Sequence, residues 1–154
     1  MQFEIPQDLT DEFAFVPGQY LTLRATVDGE DIRRSYSICS ARSNDTLEVG
    51  IKQVPLGRFS TYATTLSVGD ELQIMPPQGR FTAPIGEEPN NYLLLAAGSG
   101  ITPCLSIAKS VLEEEPDSTI TLVYGNQSTK TVMFLDDIND LKDRHTSVYR
   151  SFTP

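Results

Sequence analysis

The chain has 154 residues, 39% hydrophobic and 21% charged, an ordinary globular balance that excludes a wholly disordered or collagen-like polymer. Its 12 Lys and Arg stand against 21 Asp and Glu, a net charge of −9, which disfavours a general binder of nucleic acid or anionic membrane. No apolar run approaches the roughly 18 residues that a membrane-spanning helix needs, and MQFEIPQDLTDEF at the N-terminus lacks the basic-then-apolar order of a secretory signal. Cys39 and Cys104 are the only cysteines, too few for a disulfide scaffold or a four-thiolate iron–sulfur cluster. They read as reduced packing thiols of a cytoplasmic protein.

Residues 1–88 read as β. LTLRATVD, RRSYSIC, TLEVGIKQV and DELQIMP are short runs rich in Val, Ile, Leu, Thr and Tyr. Asp28-Gly29, Ser43-Asn44-Asp45, Pro55-Leu56-Gly57 and Gly69-Asp70 separate them as turns. This spacing predicts a small antiparallel barrel or sandwich. One short helix is expected over 59–66, after Gly57 and before Gly69.

Gly86-Glu87-Glu88-Pro89-Asn90-Asn91 is the expected linker, dividing the chain into domains at 1–88 and 89–154. Beyond it the periodicity changes. Tyr92 to Ala97 is an unbroken apolar run, as in a parallel strand covered on both faces. Gly98-Ser99-Gly100 is a tight turn, Thr102 can cap a helix, and Pro103 suits its first turn. Cys104, Leu105, Ile107, Ala108, Val111 and Leu112 then recur at helical spacing until Pro116. A second strand at 119–124, a turn at Gly125-Asn126 and a helix with Met133, Phe134, Ile138 and Leu141 on its apolar stripe complete a β-α-β-α order. That is the opening of a doubly wound parallel α/β fold. Residues 147–154 are expected to supply at most the start of a third strand.

Four stretches could carry chemistry. Arg34 and Tyr36 fall on one face of a strand. A guanidinium can clamp a phosphate through two parallel hydrogen bonds, and a neighbouring ring can stack on a flat heterocycle. Ser37 adds a hydroxyl, but on the opposite face unless the strand bends or ends there. Gly57-Arg58-Phe59-Ser60 places a flexible residue before a helix start, a geometry suited to a diphosphate. Gly98 to Pro103 sits between a buried strand and a helix, the context of dinucleotide phosphate contact, although it lacks the full G-x-G-x-x-G pattern. Gly125-Asn126 lies at the same sheet edge. Each stretch alone also fits an ordinary strand, helix start or glycine turn.

Taken in order, R-x-Y-S, G-x-x-S, P-P-Q-G-R-F, A-A-G-S-G-I-T-P and V-Y-G-N resemble the ferredoxin–NADP reductase superfamily, and within it the reductase components of multicomponent oxygenases. The resemblance implies a six-stranded-type antiparallel barrel that binds FAD, followed by a doubly wound parallel α/β domain that binds NADH or NADPH. It implies that Arg34 holds the flavin diphosphate, and that Tyr36 stacks on the isoalloxazine while Ser37 reaches its N5, these two standing nearest the reacting ring. It places Gly57, Phe59 and Ser60 along the diphosphate. Gly98, Gly100, Thr102 and Pro103 would face the nicotinamide nucleotide, with Gly125 and Asn126 bordering it. Some relatives with the same R-x-Y-S use FMN. The implied activity passes electrons from NAD(P)H through FAD to an iron–sulfur centre, with an oxygenase component or a ferredoxin as acceptor.

Against that pattern the first barrel strand reads as missing or cut short. The second half of the nucleotide domain is not seen, and the [2Fe-2S] cluster would belong to a C-terminal domain outside this chain. The chain therefore reads as an excerpt of a longer reductase, with a flavin-binding module or an inactive fragment as the alternatives. Gln127 stands where relatives often have arginine. His145, the Glu113-Glu114-Glu115 run, Asp136 and Asp137 are expected to be solvated surface groups. No metal site and no Ser/His/Asp set is expected.

Overall fold

The computed structural model describes residues 1–43, 46–86, 88–145 and 148–153, the last stretch by its backbone. The expected turn at Asn44-Asp45 and the linker residue Glu87 lie outside the described residues. β1 (Gln2–Phe3), β2 (Tyr20–Val27), β3 (Glu30–Ser37), β4 (Leu47–Glu48) and β5 (Gln73–Gln78) make up the first half, with helix α1 (Arg58–Ala63) before β5. They pair antiparallel as a β1–β4 sheet and a three-stranded sheet of order β3–β2–β5.

Alternation sets the register of this half. Leu21 and Leu23 of β2 are fully buried, and opposite them on β3 stand Tyr36 and Arg34. The intervening Thr22 and Arg24 turn outward. Asp28 and Gly29 close the β2–β3 hairpin with φ of 52° and 78°, the two left-handed positions that a tight hairpin turn demands. β5 contains Pro76 and Pro77, which cannot donate to a ladder, and it lies at the sheet edge accordingly. Gly18 has φ +100°, and a Cβ there would lie 1.9 Å from the Phe81 carbonyl oxygen. No other residue fits that crossing.

Two expected elements are shorter than the sequence suggests. The run TLEVGIKQV contributes only Leu47–Glu48 to a strand, plus an isolated bridge from Ile38 to Val49. Its continuation leaves the sheet to meet the second half, where Gly50 abuts Thr102 and the Phe134 ring so closely that a Cβ would lie 2.7 and 2.6 Å from them. The helix expected over 59–66 ends at Ala63. The Thr64 and Thr65 hydroxyls donate to the carbonyls of Thr61 and Tyr62, each at 2.7 Å, and so compete with continued helix.

The second half comprises β6 (Asn91–Ala97), α2 (Ile101–Glu114), β7 (Thr119–Gly125), α3 (Leu135–Arg144) and β8 (Val148–Thr153). All three strands are parallel in the order β6–β7–β8. The C-terminal stretch is a third strand of six residues, matching Ile120–Gly125 residue for residue, where at most a start was expected. The core joins Leu94, Ile120, Leu122 and Tyr124 of the sheet to Ile101, Leu105, Ala108 and Val111 of α2 and Ile138 of α3. Strand order runs in one direction, so two right-handed crossovers put both helices on one side. Leu93 and Leu95 face the other side and are 63% and 67% exposed. The expected cover on both faces is therefore met on one. No helix among the described residues is long and apolar enough to cross a membrane.

α3 also begins later than expected. Phe134 is its N-cap residue in a left-handed conformation, φ 57°, held there with its ring against Gly50. Asp136 and Asp137 in the first turn suit the helix dipole, and Asp137 pairs with Lys109 at 3.2 Å. The Glu113-Glu114-Glu115 run is a solvated end only in part, Glu113 and Glu114 being exposed and Glu115 buried. Glu114 pairs with Arg42, and Glu113 accepts from the Ser43 hydroxyl. Glu115 is only 3% exposed. It accepts from the Gly86 N–H at 2.8 Å and the Tyr92 hydroxyl at 2.9 Å, and also from Ser118. Together with Ser106 Oγ donating to the Ser40 carbonyl at 2.8 Å, these bonds fasten α2 to the antiparallel half and to the segment joining the halves. Cys39 and Cys104 are buried in the second core, and burial pushes the Cys39 thiol up to about 11.

Candidate functional site

On the antiparallel half the site begins with β3. Arg34 and Tyr36 share the face of Leu23 and Leu21, as strand alternation requires. Arg34 is exposed, and its Nη1 donates to the Arg33 carbonyl at 2.7 Å. Arg24, Arg33, Arg42, Arg58 and Arg144 are all ion-paired, whereas no carboxylate pairs with Arg34 or with the exposed Arg80 among the described residues. Tyr36 is half-buried with its ring centroid 5.7 Å from that of Phe59, and Phe59 lies 6.0 Å from Tyr62 in an edge-on contact. Burial raises the Tyr36 hydroxyl above its ordinary pKa, and the nearby Arg34 charge opposes that. An uncompensated guanidinium beside a ring braced from behind fits a phosphorylated flat cofactor. Ser37 is the last residue of β3, opposite Tyr20 and on the other face from Tyr36, so it meets the same site only where the strand ends.

The next element is the turn into α1. Leu56 takes φ 61° and is fully exposed. Gly57 is the N-cap with φ −75°, so it is glycine for space: a Cβ would lie 2.4 Å from Ser60 Oγ and from a Val54 methyl. Ser60 is 5% exposed, accepting from the Val54 N–H and donating to the Gly57 carbonyl, both at 3.2 Å. Its hydroxyl shapes the turn. Phe59 is 1% exposed, so its ring reaches the site only through Tyr36. Gln53, Val54, Pro55, Leu56 and Thr61 line an open hollow of about 240 Å³ beside this turn. Arg58 carries no site signal in the sequence. It donates to Glu30 at 2.5 Å and to the Val27 carbonyl at 2.9 Å, bracing α1 against the β2–β3 hairpin.

On the parallel half, Gly98–Gly100 form a turn of 3-10 helix that runs into α2, with Gly98 at φ +52°. Nothing lies within 4 Å of a Cβ built on Gly98 or Gly100, so the backbone there is open to close approach. Pro103 is half-buried beside it. Thr102 is 3% exposed, with its hydroxyl on the Ser99 carbonyl and its methyl toward Gly50. It fixes the turn against the antiparallel half and does not present its hydroxyl to open space. Ala97 and Gly125 are register partners at the ends of β6 and β7. Beside them both side-chain amide atoms of Asn126 are buried with no hydrogen-bond partner in the protein. A buried amide of that kind calls for a ligand or water, and it fits the polar edge of a nucleotide.

A residue that pattern reading misses sits beneath the loops that leave β6 and β7. Tyr124 is fully buried, and its hydroxyl donates to the Gly98 carbonyl at 2.8 Å and accepts from the Met133 N–H at 3.2 Å. Its place in the V-Y-G-N stretch is the only signal. No group of three or more His, Cys, Asp and Glu side chains is placed to hold a metal among the described residues.

Comparison with known proteins gives two adjacent family matches: the oxidoreductase FAD-binding domain over residues 1–83 and the oxidoreductase NAD-binding domain over 94–153. One component of the 1,2-phenylacetyl-CoA epoxidase from Escherichia coli is 45% identical over 93% of this chain and 41% of its own length. The ferredoxin reductase component of 3-ketosteroid-9-alpha-monooxygenase from Rhodococcus rhodochrous is 36% identical over 93% of this chain and 41% of its own length. The chain thus spans about two fifths of these relatives. Among solved structures, the flavohem-like FAD/NAD-binding domain of a nitric oxide dioxygenase from Vibrio cholerae superposes with a TM-score of 0.79 at 25% identity, covering 92% of this chain and 63% of that one.

Proposed function

We propose a function from one premise: this chain belongs to the ferredoxin–NADP reductase family of FAD- and NAD-binding oxidoreductases. We infer that it forms the flavin-holding and nucleotide-facing part of a reductase that passes electrons from NAD(P)H to an iron–sulfur centre, an oxygenase component or a ferredoxin. The flavin, when bound, supplies the conversion between two-electron hydride and single-electron transfer. We place the two units at 1–88 and 89–154.

The chain's own residues bind and orient. Arg34 holds the flavin diphosphate as a charge-assisted clamp. Tyr36 covers the ring system, with Phe59 as its backing, and Ser37 meets the ring at the end of β3. Gly57 and Ser60 shape the turn along the diphosphate, the Gly57 N–H and carbonyl being spent on holding that turn. Gly98, Gly100 and Pro103 give the nucleotide a smooth backbone wall, Thr102 anchors that wall, and Gly125 and Asn126 border it. The observation that carries the reading is the unpaired Arg34 guanidinium on the same strand face as the braced Tyr36 ring. Gln127 to Lys130 offer one lysine and no arginine for a 2′-phosphate, which favours NADH over NADPH.

The test is to purify the protein, extract its cofactor for mass spectrometry, and add NADH anaerobically to the flavin-loaded form. FAD in the extract and bleaching of the flavin band support the reading. FMN alone, or no flavin uptake, contradicts it. Flavin that binds but is not reduced makes the chain a binding module.

A further inference from the structure

We propose that Tyr124 is a positioning residue that sets the width of the nucleotide crevice through its hydroxyl. The inference rests on the reading of Gly98–Pro103 and Gly125–Asn126 as nucleotide-facing. Along β7 the inward residues Ile120, Leu122 and Tyr124 are all buried in one core, and a phenylalanine ring would fill that volume as well as tyrosine does. The hydroxyl is therefore the part that packing does not require. It uses both of its hydrogen-bonding roles on backbone, donating to the Gly98 carbonyl and accepting from the Met133 N–H.

Those two groups belong to different loops. Gly98 opens the turn from β6 into α2, and its carbonyl also accepts from the Ile101 N–H at the start of that helix. Met133 closes the loop from β7 into α3, just before the left-handed Phe134. Both loops leave the carboxyl ends of adjacent parallel strands, where open α/β sheets bind ligands. One buried hydroxyl thus ties the two walls of the crevice together from below. Asn126 lies between those ties in the chain, with its amide buried and unpartnered. A nucleotide that satisfies the amide while lying against Gly98 and Gly100 needs those walls at a fixed separation.

The test compares wild type with Tyr124→Phe in the flavin-loaded protein, titrating with NADH and with FAD. The variant leaves the Gly98 carbonyl and the Met133 N–H without this partner. The NADH dissociation constant is expected to rise about tenfold. FAD affinity and the flavin spectrum should stay within about twofold, and KM for NADH should rise while kcat holds. An unchanged NADH constant in a wild type that binds normally overturns the inference, as does a parallel loss of FAD affinity. A wild type that binds no NADH overturns the reading of the crevice and this inference with it. Should the variant fail to fold, amide exchange in the wild type decides: a protected Met133 amide that NADH slows further supports the tie, and an unprotected one overturns it.

Discussion

The two halves present their proposed ligand groups in different ways. On the antiparallel half the groups are side chains raised from a strand, Arg34 and Tyr36, with Phe59 packed behind. On the parallel half they are stretches of bare backbone at Gly98 and Gly100, beside the Asn126 amide. A side-chain site is placed by strand register, which is local. A backbone site is placed by whatever holds its loops, here the Tyr124 hydroxyl, Thr102 and the approach of Gly50 to Phe134. The first kind should fail when one side chain is removed. The second should fail when a support outside the site is removed.

The largest expected effect strikes the antiparallel half as a fold. Gly18→Ala puts a Cβ against the Phe81 carbonyl at a positive φ and should cost about 3 kcal/mol, read as a large drop in melting temperature with flavin affinity lost in step. An unchanged melting temperature would show that the Phe81 segment shifts freely. Removing the Tyr36 ring should do less. Tyr36→Ala should weaken flavin binding by a smaller factor than loss of Arg34, while shifting the flavin absorbance, because the ring contact contributes only about 0.5–1.5 kcal/mol beyond its burial. A spectrum identical to wild type would take Tyr36 off the flavin.

The joint between the halves should show a pH dependence. Burial opposes the charge on Glu115, but bonds from the Ser118 hydroxyl, the Gly86 N–H and the Tyr92 hydroxyl outweigh it and hold its pKa below the ordinary glutamate value. A depressed folded-state pKa means that the stabilisation is complete above the unfolded value and is lost as pH falls through the folded one. Glu115→Gln should therefore flatten the acid limb of the melting-temperature profile and leave its slope near neutrality alone. A variant as acid-sensitive as wild type would assign that limb to other carboxylates. The smallest effect expected is the nucleotide preference, a modest advantage of NADH over NADPH in reduction rate. A clear NADPH preference would mean that a cation outside Gln127–Lys130 meets the 2′-phosphate.

Legibility in the sequence follows the same division. The Asp28-Gly29 hairpin, the shared face of Arg34 and Tyr36, and the β-α-β-α order are readable because each depends on period or turn chemistry within a few residues. What is not readable depends on distant partners. The acidic run 113–115 looks like a solvated helix end until Arg42, Ser43 and Gly86 are brought against it. TLEVGIKQV has strand composition throughout, yet the second half draws Gly50 out of the ladder. Thr102 carries a capping residue type but spends its hydroxyl inside the turn, and Phe134 looks helical but is pinned left-handed at the helix start. Tyr124 gives no pattern of its own, since a tyrosine on a buried strand looks like core.

The central claim is that the antiparallel half holds its cofactor by a side-chain clamp independent of the nucleotide crevice. It is tested most directly by titrating wild type and Arg34→Ala with FAD and, separately, with NADH. Loss of two charge-assisted hydrogen bonds predicts at least about a tenfold weaker FAD affinity, with NADH affinity unchanged. Equal FAD affinity in the two proteins, or a matching loss of NADH affinity, would contradict it.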